Sequence, residues 1–86
     1  MRIARIESFK KAWQQLTEEQ KVSARKAIRY LAVDMRHPSL RVKKIKGTAN
    51  IWEARASRSI RMTFQIDNET IILRNIGQHD DTLERP

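Results

Sequence analysis

The sequence is poor in the residues that build metal sites, disulfides and membrane segments. It contains no cysteine among its 86 residues, and only two glycines and two prolines. The absence of cysteine excludes zinc ribbons, thiol nucleophiles and disulfide scaffolds. No apolar run approaches the roughly 18 residues of a membrane helix, and the first residues lack the apolar stretch of a signal peptide. We therefore expect one compact domain over residues 1–86, located in the cytoplasm, with no metal, no cofactor and no membrane contact.

The sequence also has few acidic residues. Its 10 Asp and Glu stand against 18 Lys and Arg, which gives a net charge of +8. The basic excess is concentrated in residues 37–61, which carry seven basic residues and one acidic residue, whereas residues 62–86 carry two and five. Such a concentration predicts a polyanionic partner, because Lys and Arg attract phosphates and release their counterions. A solvated basic face and a docking surface for an acidic protein are the alternatives.

The N-terminal half predicts a short strand followed by two helices. Residues 2–6 indicate the strand, and Ser8 is placed to cap the first helix. The apolar residues of that helix recur with helical spacing at Phe9, Ala12, Trp13 and Leu16. Thr17 and Gln20 have the spacing of a capping box, which begins a second, longer helix that the pair His37-Pro38 ends. The two helices are expected to form an antiparallel hairpin.

From residue 40 onward the apolar period changes to two, which predicts three strands. The core-facing set comprises Trp52, Ala54 and Ala56 on the first strand and Ile60, Met62, Phe64 and Ile66 on the second. By alternation, Arg55 and Arg61 then share the open face of the sheet, together with Thr63 and Gln65. The nearly continuous apolar segment 70–76 predicts a third strand, buried on both faces, which Gly77 ends.

Four stretches of this pattern carry a family resemblance. They are the basic segment 38–47, the aromatic-led strand 51–55, the strand 59–65 and the polar stretch 76–81. Together with the two helices they resemble the RelE/ParE superfamily of bacterial toxins, over nearly the whole chain. The resemblance implies an α+β fold of order β-α-α-β-β-β, with a two-helix hairpin on one face of a small, twisted, mainly antiparallel sheet. The other face would be basic and concave.

The resemblance also implies a function, and it leaves the target open. RelE-like and YoeB-like toxins cut mRNA in the ribosomal A site, whereas ParE-like toxins poison DNA gyrase. We expect the toxin of a type II toxin–antitoxin system, a metal-independent endoribonuclease that inhibits translation. Its partners would be an acidic antitoxin, mRNA and the ribosome. A non-catalytic gyrase inhibitor and a DNA-directed nicking or nucleic-acid-binding module are the alternatives.

RNA cleavage without a metal needs a base for the 2′-hydroxyl, cations for the charged intermediate and an acid for the departing 5′ oxygen. Arg61 matches the arginine of the family's central strand and is expected to stabilise the transition state. Arg55 lies where RelE has a lysine and would be a second phosphate clamp. Glu53 is a candidate general base, and a structural salt bridge between Glu53 and Arg55 or Arg61 is the alternative.

The acid is expected from the polar stretch after Gly77. His79 lies where RelE has a catalytic arginine and YoeB-like toxins have a histidine, and histidine exchanges protons near neutral pH. Asp80 or Asp81 would orient its ring. The C-terminal tyrosine familiar in the family is absent, since the only tyrosine is Tyr30 in the second helix.

Five further basic residues are expected to contact nucleic-acid phosphates and to set affinity rather than sequence choice. They are Arg41, Lys43, Lys44, Lys46 and Arg58. A solvated sheet edge, protected by lysines against strand-to-strand association, is the alternative.

Overall fold

The computed structural model describes residues 1–86 and contains five strands and three α-helices. In chain order these are β1 (Arg2–Arg5), α1 (Glu7–Gln14), α2 (Glu18–Val33), β2 (Lys43–Lys44), β3 (Trp52–Arg55), β4 (Ile60–Asp67), β5 (Thr70–Gln78) and α3 (His79–Glu84), with a 3-10 turn at Pro38–Leu40 between α2 and β2. The strands form one sheet of order β1-β5-β4-β3-β2. Only β1 and β5 run parallel, and the other pairs are antiparallel. The expected α+β fold is confirmed, and the chain adds the two-residue strand β2 and the C-terminal helix α3 to the predicted order β-α-α-β-β-β.

The sequence predicted the start of α2 correctly, but not the start of α1 or the end of α2. Thr17 and Gln20 make the predicted capping box, with reciprocal hydrogen bonds of 3.1 and 2.9 Å. Ser8, however, lies inside α1 and does not cap it; its hydroxyl donates to the Arg74 carbonyl at 2.6 Å and so ties α1 to β5. The second helix ends at Val33, before His37-Pro38, because Asp34 is already extended.

The hydrophobic core lies between the helices and one face of the sheet. Strand alternation places Ala54, Met62 and Phe64 in this core, as predicted, and each is fully buried. They pack with Phe9, Leu16, Ala24, Ala27, Ile28 and Leu31 of the helical segment, and with Ile71, Leu73 and Ile76 of β5. β5 lies between β1 and β4, so it is an interior strand, although residues Ile72 and Arg74 on its second face are only half-buried.

The opposite face of the sheet presents two rows of side chains across the strands. One row joins Arg55, Arg61 and Gly77, and the next joins Lys43, Glu53, Thr63 and Asn75. A bulge follows in β5, because Thr63 pairs with Asn75 whereas Phe64 pairs with Leu73. This face is called the open face below, and the bulge leaves Arg74 as its extra residue.

Candidate active site

Arg55 and Arg61 lie directly opposite each other on the open face, in register across β3 and β4. Both are half-buried, and both donate to the carbonyl oxygen of Ser57, Arg55 through Nε at 3.3 Å and Arg61 through Nη1 at 3.1 Å. Neither takes part in an ion pair. Like charges directly opposite in an antiparallel pair are destabilising, so this arginine pair is suited to holding an anion between or above its guanidinium groups.

Glu53 neutralises neither arginine. Glu53 is 6% exposed, and its carboxylate faces the largely exposed Lys43, its cross-strand neighbour on β2, with 3.9 Å between Oε1 and Nζ. A salt bridge between Glu53 and Arg55 or Arg61, the alternative drawn from the sequence, is therefore wrong. The nearest charged partner of the predicted base is instead a lysine on the edge strand β2.

We expect Glu53→Gln to lower thermal stability and to leave the RNA cleavage that the sequence resemblance implies within about tenfold of the unaltered chain. Its side chain is buried and its carboxylate lies 3.9 Å from the largely exposed Lys43 ammonium group, so the substitution removes a charge-assisted contact from a buried side chain. Initial cleavage rates and the melting temperature check this, with Glu69→Gln at an exposed turn as the matched control. A loss above 10²-fold with unchanged stability would instead make Glu53 the general base.

His79 begins α3, two residues beyond the glycine that opposes Arg61. Its backbone N–H donates to the Ser59 carbonyl at 3.3 Å, which anchors the start of α3 against the β3–β4 hairpin. The imidazole Nδ1 lies 3.1 Å from Oδ1 of Asp80, and the ring is about half exposed. Asp80 is thus the carboxylate that contacts the ring, whereas Asp81 makes no hydrogen bond to it.

The C-terminal segment covers part of the open face, which the sequence did not predict. The Thr63 hydroxyl donates to the Pro86 carbonyl at 2.9 Å, and the Asn75 side chain donates to the Arg85 carbonyl at 2.9 Å. Thr82 of α3 is buried against Gly77. The expected concave surface is therefore open at the arginine pair and closed over Thr63.

Gly77→Ala is expected to destabilise the packing of α3 against the sheet by about 1–2 kcal/mol of free energy, the scale of overpacking a tight contact. A Cβ at this position would lie 2.9 Å from Thr82 Oγ1, closer than such atoms approach. Thermal melting and hydrogen exchange across residues 79–86 measure the effect. Adding Thr82→Ala removes the colliding atom and should restore most of the loss; if it does not, this contact is not what fixes α3.

The five predicted phosphate contacts do not form one patch. Lys43 and Lys44 are neighbours on β2 and so point to opposite faces of the sheet edge, and Lys46 is exposed in the following turn. Arg41 and Arg58, in contrast, line a common cavity with Arg55. Lys26 of α2 lines the same cavity and was missed, because its helical position gave no sequence signal of contact with the hairpin.

No group of three or more His, Asp or Glu side chains in the structure is placed to hold a metal ion. None of the helices is long and apolar enough to cross a bilayer.

The mixed five-stranded sheet, the two N-terminal helices and the short C-terminal helix form a fold that is similar to those of RelE and YoeB/ParE toxins in solved structures. This protein is similar to a chain of the RelB–RelE antitoxin–toxin complex from Methanococcus jannaschii. The TM-score is 0.77 and the sequence identity 19%, over 96% of this chain and 99% of that chain. A YoeB/ParE toxin from Agrobacterium tumefaciens matches with a TM-score of 0.75 and 15% identity, over 92% and 99%. A chain of the intact RelBE toxin–antitoxin complex of E. coli matches with a TM-score of 0.72 and 15% identity, over 92% of this chain and 96% of that chain.

These matches confirm the fold that the sequence resemblance implied. No protein-family model matches the sequence, and no curated protein matches it either. One fold carries several activities, so the fold alone does not determine the function.

Proposed function

We propose that this protein is the toxin of a type II toxin–antitoxin pair and that it cleaves mRNA at the ribosome by metal-independent transesterification. The observation that carries the proposal is the arginine pair, Arg55 opposite Arg61, half-buried on the open face and without a carboxylate partner. Two fixed guanidinium groups of this kind fit a phosphodiester, because each presents planar donors that match two phosphate oxygens.

In this reaction a water molecule takes the proton of the 2′-hydroxyl, the 2′ oxygen attacks the adjacent phosphorus, and the 5′ oxygen of the next nucleotide departs and takes up a proton. Negative charge builds up on the phosphoryl oxygens in the transition state. Arg61 and Arg55 stabilise that charge, and the Ser57 carbonyl holds both guanidinium groups at the end of the β3–β4 hairpin. The pair is in place before the substrate arrives, so little reorganisation is needed.

His79 supplies the proton for the departing 5′ oxygen. Its Nδ1 faces the Asp80 carboxylate, which favours a proton on that nitrogen and leaves Nε2 to exchange a proton with the substrate. The half-exposed ring lies at the start of α3, beside the end of the strand that carries Gly77 opposite Arg61. Donation to the leaving oxygen is general acid catalysis.

An acidic antitoxin is the proposed protein partner. Its support is the net charge of +8 and the fold shared with chains from toxin–antitoxin complexes. An acidic segment laid over the arginine pair would neutralise the free guanidinium groups and block access of RNA. Toxin and antitoxin would then meet in the cytoplasm, where the ribosomes are.

Cleavage is tested by adding the purified chain to a translating cell-free extract and to naked RNA, and mapping breaks by primer extension. We expect breaks in translated mRNA that disappear with Arg61→Ala. Intact mRNA with undisturbed translation would contradict the proposal. Inhibition of gyrase supercoiling in the same samples would then favour the ParE-like alternative.

A further inference from the structure

An open cavity of about 730 Å³ lies beside the arginine pair, between α2 and the β3–β4 hairpin. Four cationic side chains line it: Lys26 from α2, Arg41 after the 3-10 turn, Arg55 from β3 and Arg58 from the hairpin. No acidic residue lines the cavity, and none of the four cations is in an ion pair. Four converging cations without a counter-charge are an anion-binding arrangement.

A stack of two aromatic rings forms one wall of the cavity. The Tyr30 and His37 rings are parallel to within 5°, with 4.2 Å between their centroids, and Lys26 Nζ lies 5.8 Å from the Tyr30 ring. His37 Nδ1 accepts the Ser39 backbone N–H at 3.2 Å. The Ser39 hydroxyl oxygen lies 2.7 Å from the same Nδ1, whereas Nε2 has no hydrogen-bond partner in the chain.

Arg41 is held in an unusual backbone conformation at this cavity. Its φ of 47° and ψ of 48° are left-handed, a region that residues other than glycine, asparagine and aspartate rarely occupy. Such conformations persist where the surrounding structure imposes them, and they concentrate at ligand-binding sites. The conformation belongs to one of the four cationic residues that converge on the cavity.

The cavity is continuous with the arginine pair. Arg55 belongs to both, and the Ser57 carbonyl, which accepts from Arg55 and Arg61, comes from a residue that also lines the cavity. We propose that the cavity, named here the side subsite, binds the phosphate next to the scissile one in the same RNA strand. This inference rests on the proposed function, since the scissile phosphate is the one assigned to Arg55 and Arg61.

The experiment uses a fluorescently labelled RNA trinucleotide with two phosphodiesters, bound to the full chain and followed by anisotropy. Its 2′-hydroxyls are methylated, so it binds without being cleaved. Two further ligands replace one phosphodiester or the other with an uncharged methylphosphonate. Inorganic phosphate is the competitor that distinguishes a free anion from a phosphate within a strand.

We expect each replacement to weaken binding to the unaltered chain by roughly tenfold, the scale of a hydrogen-bonded charge contact. The double variant Lys26→Ala/Arg58→Ala should bind the parent trinucleotide about tenfold more weakly. Its affinity should no longer change when one phosphodiester is replaced by methylphosphonate, and should still fall when the other is replaced. Arg61→Ala should show the complementary pattern. Arg2→Ala/Lys11→Ala, which removes the same charge at exposed positions outside the cavity, should retain sensitivity to both replacements.

The side subsite is ruled out if Lys26→Ala/Arg58→Ala and Arg2→Ala/Lys11→Ala weaken binding equally and both remain sensitive to each methylphosphonate replacement. The loss of affinity would then reflect general charge attraction. It is also ruled out if inorganic phosphate occupies the cavity as tightly as the trinucleotide, since the cavity then serves a free anion. Failure of the proposed function looks different: the binding pattern would hold while primer extension shows no breaks. Breaks that depend on Arg61 without this binding pattern would leave the function in place and remove the side subsite.

Discussion

Arg61→Ala is expected to lower the rate of mRNA cleavage by roughly 10²–10³-fold, the cost of removing one donor to a developing anion. The guanidinium group faces Arg55 across the two strands and no carboxylate holds it, so its charge is available to the phosphate. Relief of the like-charge contact should leave the folded state as stable as before, or slightly more stable. Cleavage rate and melting temperature are measured on the same preparation.

Arg61→Lys separates charge from geometry. A lysine retains the positive charge but cannot bind two phosphate oxygens in one plane, so we expect it to remain at least tenfold slower than the unaltered chain. Arg2→Ala, at an exposed position on β1, is the matched control and should cleave normally. Full activity of Arg61→Ala with intact folding would remove this residue from the chemistry.

His79→Ala has the second largest expected effect, a loss of about 10²-fold in cleavage rate for the missing acid. The ring has few structural contacts, since it is half exposed and its one side-chain partner is Asp80. The melting temperature should therefore change little. A substrate whose 5′ leaving oxygen is replaced by sulfur, which departs without a proton, should restore most of the rate to His79→Ala and none to Arg61→Ala.

The two neighbouring aspartates provide an internal comparison for His79. Asp80→Asn removes the carboxylate at 3.1 Å from Nδ1 and should slow cleavage by about tenfold, whereas Asp81→Asn should not. Equal effects of the two substitutions would show that the charge near α3 matters and that ring orientation does not.

The pairing of Arg55 with Arg61 could be predicted because it follows from strand alternation. Residues two apart share a face, so placing Ala54 and Met62 in the core places both arginines on the other side. The capping box at Thr17 could also be predicted from the sequence, since it depends on two residues only three positions apart. Local patterns of this kind determine both the register of the hairpin and the composition of its open face.

Features that depend on distant residues or weak local signals were missed. Residues 79–84 are mostly polar and have no apolar stripe, so nothing in them indicated a helix; tertiary contacts of Thr82 with Gly77 and of the last two residues with β4 and β5 hold the segment in place. Glu53 and Lys43 are ten positions apart and meet only because a two-residue strand joins the edge of the sheet. The side subsite combines α2 with the hairpin in the same way.

The chemistry of the cut RNA ends tests the central claim most directly. Transesterification leaves a 2′,3′-cyclic phosphate on the upstream fragment and a 5′-hydroxyl on the downstream one, since the 2′ oxygen is the nucleophile and the 5′ oxygen departs. Fragments from a translating extract should therefore accept label from polynucleotide kinase without prior phosphatase treatment, and Arg61→Ala should yield none. Downstream fragments bearing a 5′-phosphate, or fragments formed equally by Arg61→Ala, would contradict RNA transesterification at the arginine pair.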